Sequence, residues 1–70
     1  MTTLDARGIS CPEPLLMLKN ALKTQAQLAM LVDSKAALDN CEGYAKKQGF
    51  TVDIEKEGDT FNMLIAAKNE

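Results

Sequence analysis

The sequence predicts an α/β (α+β) two-layer sandwich of order β-α-β-α-β-β, with both helices on one face of a four-stranded mixed sheet. Three observations lead there. Residues 12–24 and 35–48 carry apolar side chains at three- and four-residue spacing, the period of a helix with one buried face. Residues 28–32 are apolar at every position, the pattern of a central strand covered on both sides. Two alternating runs then flank Glu57-Gly58-Asp59 and read as a hairpin. Each β-α-β connection is expected to be right-handed and to return beside its starting strand.

Residues 2–6 form a short extended segment anchored by Leu4 and expected at a sheet edge. Arg7-Gly8 turns the chain, since glycine accepts a positive φ that other residues resist. Ile9 is placed to pack back on the first helical turn. The first helix opens on Ser10-Cys11-Pro12-Glu13-Pro14. With Cys11 as N-cap, Pro12 and Pro14 fall in the first turn, where a missing N–H costs no helical bond, and Glu13 complements the helix dipole. Leu15, Leu18 and Leu22 form the apolar seam, widened by Leu16, Met17 and Ala21, while Lys19, Asn20 and Lys23 mark the wet side.

Asp33-Ser34 follows the central strand and can cap the second helix, the role expected of Asp33. The end of a central strand is also where α/β proteins place functional groups. Ala37, Leu38, Cys41, Tyr44 and Ala45 line one face of that helix, and Gly49 closes it. Phe50, Val52 and Ile54 alternate with Thr51, Asp53 and Glu55 as a half-buried strand, paired with a strand carrying Phe61, Met63 and Ile65. Residues 68–70 are expected to fray. The face without helices would carry Leu31, Leu64 and Ala66, either as a partner site or as a thinly covered sheet.

The 70 residues make one domain, 1–70, with an ordinary globular composition of 46% hydrophobic and 26% charged residues. No apolar run approaches the roughly 20 residues that span a bilayer, and Asp5 stands where an export signal would want basic residues. The expectation is a cytoplasmic protein with no membrane partner. A net charge of −2 argues against direct nucleic-acid binding, although Arg7, Lys19 and Lys23 leave room for a local basic patch. Two cysteines thirty positions apart are no disulfide framework, and the absence of histidine removes the usual zinc arrangements, so neither a metal nor a cofactor is expected.

Cys11 is the candidate catalytic residue. A thiol at a helix start gains from the dipole and from unpaired N–H groups, which favour the thiolate, and cysteine is a poor cap, which suggests another purpose for the sulfur. Arg7 is expected to add positive potential, with Glu13 opposing it. The alternative is a small structural residue packed where loop meets helix. Cys41 reads as core.

The stretch Leu4-Asp5-Ala6-Arg7-Gly8-Ile9-Ser10-Cys11-Pro12-Glu13-Pro14-Leu15 closely resembles the opening of the TusA/SirA family of small sulfur carriers. The marks are a leucine-aspartate-x-arginine-glycine lead and a cysteine-proline-x-proline (CPxP) helix start. The resemblance implies a two-layer sandwich whose Cys11 carries sulfur as a persulfide; the supporting residues expected for that site are Arg7, Gly8, Pro12, Glu13, Pro14 and Asp33. It implies a cysteine desulfurase or rhodanese-like sulfur donor, and a downstream acceptor protein in tRNA thiolation, cofactor synthesis or sulfur oxidation. The second half departs from the tRNA-thiolation members: Val32-Asp33-Ser34-Lys35 and Tyr44-Ala45-Lys46-Lys47-Gln48-Gly49-Phe50 look more like the YedF-type branch, which includes proteins associated with selenium metabolism. Members of that branch often carry a second domain, so this chain is either a free-standing member or an isolated domain. The alternative function is a noncatalytic interaction or regulatory module with a structural Cys11.

Overall fold

The computed structural model describes residues 2–10 and 12–68. Its elements are β1 (Thr2–Asp5), α1 (Glu13–Ala21), β2 (Gln27–Val32), α2 (Lys35–Lys47), β3 (Phe50–Glu57) and β4 (Thr60–Ala67), the predicted order. The sheet runs β1-β2-β4-β3. β1 is parallel to β2, whereas β4 is antiparallel to both β2 and β3. The sheet is therefore mixed, and β1 is an edge as expected.

The second crossover differs from expectation. β3 does not return beside β2; β4 lies between them. Composition explains the placement. β4 carries Phe61, Met63, Leu64 and Ile65 and can occupy a central position, whereas Asp53, Glu55, Lys56 and Glu57 make β3 a charged strand suited to an edge. For the same reason β3 is less buried than its alternation suggested: Ile54 is 39% exposed. Gly58, at φ +59°, is the first residue of the two-residue loop that closes the hairpin between paired Glu57 and Thr60, and no non-glycine residue described has a positive φ.

The core lies between one sheet face and the two helices. Leu28, Met30, Val32, Met63 and Ile65 from the sheet meet Leu18, Ala37, Leu38, Cys41 and Ala45 from the helices, all buried. In α1 the seam runs through Pro14 and Leu18, flanked by Met17, Ala21 and Leu22, so the apolar face is rotated from the expected one. Leu15 is half-buried and Leu16, about 200° around the helix from Leu18, is 49% exposed. The regular helix also ends earlier than the apolar pattern. Beyond Ala21 the Lys23 and Thr24 N–H groups donate to carbonyls three residues back, tightening the last turn. Among the described residues, no helix is long and apolar enough to cross a membrane.

Candidate functional site

The loop from β1 to α1 holds most of the predicted site residues; Cys11 itself lies outside the described residues. The loop leaves the carboxyl end of β1, next to the carboxyl end of β2, the end at which open α/β sheets place their sites. Parallel pairing continues one step past the strand, where the Ala6 N–H donates to the Leu31 carbonyl at 2.8 Å. Ala6 is buried and fixes the start of the loop. Ile9 packs against the core from the other end of the turn.

Two interactions set the loop between these anchors. The first is local: Arg7 Nε and Nη2 donate to Asp5 Oδ1 and Oδ2 at 2.9 and 2.8 Å, and the Arg7 backbone N–H also donates to Oδ1 at 3.2 Å. The bidentate guanidinium and this backbone donor hold the Asp5 carboxyl down at about 2, and Asp5 in turn raises Arg7. The second is remote: the Gly8 N–H donates to Asp33 Oδ2 at 2.8 Å, with Gly8 at φ +74°. Glycine adopts this positive φ without the Cβ clash of other residues, and the chain turns here toward α1.

Asp33 is therefore not the cap of α2. Ser34, at φ −135° and ψ 148°, places its Oγ to accept the Ala37 N–H at 3.1 Å. With Ser34 capping, the neighbouring carboxylate is left to hold the loop. The Arg7 guanidinium is paired with Asp5 in an exposed ion pair that closes the turn.

The helix start is one residue later than predicted. Pro12, at φ −94° and ψ 14°, is the N-cap, and its carbonyl accepts the Leu16 N–H at 3.1 Å. Glu13 takes the first helical position and Pro14 the second, so neither proline removes a helical bond. The Glu13 N–H donates to the Ser10 carbonyl at 3.0 Å, and among the described residues no side chain caps the helix. Pro14 is buried and anchors the turn, while Ser10, Pro12 and Glu13 are exposed. The structure thus groups Arg7, Gly8 and Asp33 around one end of the loop and Pro12, Glu13 and Pro14 at the other.

Sequence reasoning missed Asp5 as the partner that occupies Arg7, although two residues of opposite charge separated by one position at a strand end were a visible signal. Nothing local pointed from Asp33 to Gly8. Lys19, a candidate for a basic patch, instead lies 5.3 Å from the centre of the Tyr44 ring across the helix pair. Among the described residues, no three acidic or cysteine side chains converge to hold a metal ion.

The fold is a small two-layer α/β sandwich that presents two prolines, Pro12 and Pro14, at the start of α1 beside a loop tied to the end of β2. The chain belongs to the TusA family: the model for sulfurtransferase TusA matches residues 2–67. It is 32% identical over 71 residues to a protein of Methanocaldococcus jannaschii named as a candidate sulfur carrier, an alignment covering 97% of this chain and 95% of that one. It also resembles the crystal structure of a SirA-like protein from Desulfitobacterium hafniense, with a TM-score of 0.85 and 30% identity, covering 99% of this chain and 100% of that one.

Proposed function

We propose that Cys11 accepts sulfane sulfur as a persulfide and passes it to an acceptor protein. The observation that carries this reading is family membership over residues 2–67, a span that includes the whole CPxP segment. The exposure of Ser10, Pro12 and Glu13 on either side of Cys11 in the chain supports it, because transfer between two proteins needs accessible flanks. In the loading step the Cys11 thiolate attacks the outer sulfur of the donor's persulfide. A new S–S bond forms on Cys11, the donor's S–S bond breaks, and the donor departs as a thiolate. The donor in this reading is a cysteine desulfurase or a rhodanese-like protein, and the setting is cytoplasmic. Gly8, Asp33 and Arg7 act by positioning the loop that leads to Cys11, and Pro12 and Pro14 by rigidifying the helix start.

The test is intact mass after incubation with a cysteine desulfurase and cysteine, for wild type, C11A and C41A. One added sulfur, about 32 Da, that is removed by reductant, appears in wild type and C41A and is absent from C11A. An adduct that persists in C11A at the wild-type level overturns the proposal. No adduct from the desulfurase, or from a rhodanese-like donor loaded with thiosulfate in a parallel incubation, shifts the reading to an interaction module with a structural Cys11.

A further inference from the structure

The sheet face opposite the helices is patterned in both shape and charge. Strand register aligns two rows across it, Thr3–Ala29–Leu64–Asp53 and Asp5–Leu31–Asn62–Glu55. Ala29, the small residue of the first row, opens a groove of about 360 Å³ bordered by Leu31 and Leu64 and walled on the β3 side by Asp53 and Glu55. Leu64 is 38% exposed there. Charge on the strands is one-sided. Asp53, Glu55 and Glu57 alternate along the β3 edge of this face. The single strand lysine, Lys56, falls on the helix-covered side, 5.9 Å from the centre of the Phe61 ring. At the far edge Asp5 is matched by Arg7. Asp53 and Glu55 form no ion pair among the described residues.

A second copy would bring its own acidic strand to this face, and an anionic membrane or nucleic acid would be repelled by it. Strand addition at β3 is opposed by the row of acids along that edge. We propose that the face binds a basic amphipathic helix of a partner protein. An apolar side chain of that helix seats over Ala29 between Leu31 and Leu64, and lysines or arginines beside its apolar stripe pair with Asp53 and Glu55. The spacing fits: two residues along a strand span about 7 Å, close to the roughly 6 Å between i and i+4 side chains on a helix. This surface is independent of the proposed role of Cys11.

The probe is a designed helical peptide with a leucine stripe flanked by lysines, titrated into the isotope-labelled 70-residue protein and followed by amide chemical shifts. Two control peptides replace the lysines by glutamates or the leucine stripe by serines. Shifts are expected at Ala29, Leu31, Asn62 and Leu64 with the basic amphipathic peptide and with neither control. Reversing the wall in D53K/E55K weakens binding about tenfold, and Leu64→Ser weakens it independently of charge. Both variants change exposed positions, and their dispersed spectra verify the fold. Shifts mapping to the helix layer, or affinities unchanged in D53K/E55K, overturn the proposal. So does a concentration-dependent dimer that is mapped to this face and competes with the peptide. No sulfur transfer enters the readout, so a failure here leaves the Cys11 reading where it stands.

Discussion

The Gly8 amide and the Asp33 carboxylate, twenty-five residues apart in sequence, meet at 2.8 Å and join the loop before α1 to the end of the central strand β2. Losing this acceptor leaves an exposed amide to water, so Asp33→Ala is expected to cost about 1 kcal/mol in urea unfolding. The loss in Asp33→Asn should be smaller, because the amide oxygen still accepts. Hydrogen exchange decides the mechanism: Gly8 loses protection in Asp33→Ala while the first turn of α2 keeps it. Fraying of α2 in that variant would restore Asp33 as the cap. Ser34→Ala should fray α2, at about 1 kcal/mol.

Two glycines should respond to alanine in opposite directions. A Cβ at Gly8 meets nothing within 4 Å, so the penalty for Gly8→Ala comes from the φ of +74° alone, about 1–2 kcal/mol. Gly43 lies inside α2 with open space at its Cβ position and an ordinary helical backbone, so Gly43→Ala is expected to stabilise by up to about 1 kcal/mol. Thermal unfolding of the two single variants tests both signs.

The Asp5–Arg7 pair makes stability depend on acid pH. The folded pKa of Asp5, about 2, lies below its ordinary 3.8, so the folded state favours the carboxylate. The contribution is fully present above about pH 4 and is lost as pH falls through the folded pKa near 2. Carboxyl titration by NMR in Arg7→Ala should return Asp5 toward 3.8, and Asp5→Asn should flatten the melting-temperature profile across that window. An unchanged Asp5 titration in Arg7→Ala would contradict the pairing.

Neighbouring leucines on α1 should differ sharply. Leu18 is fully buried, so Leu18→Ala is expected to cost about 3 kcal/mol, a large share of the roughly 4–10 kcal/mol typical of a domain this size. Leu16, half exposed, should change stability by no more than about 0.5 kcal/mol when replaced by alanine. Chemical denaturation measures both. Comparable losses would place Leu16 on the buried face and refute the packing of α1.

The sequence by itself determined the element order, the hairpin, the closing glycines, the core face of α2 and the presence of both prolines at the start of α1, whose N-cap falls one residue later than expected. Each of these rests on a local rule: a period of two or 3.6, a residue that lacks an N–H, or one that tolerates positive φ. The CPxP stretch also carried the family resemblance that the whole-chain match bears out. Tertiary structure decided what depends on partners far away in the chain. The register of the sheet put β4 inside and β3 at the edge, the rotation of α1 on its core exposed Leu16, and folding brought Gly8 to Asp33. It also aligned Ala29, Leu31, Leu64, Asp53 and Glu55 from three strands on one face. Periodicity fixes which side chains share a face of one element, but not which other element that face meets. That choice is made by competition among all the apolar surfaces of the chain for a single core, and only the assembled fold records its outcome.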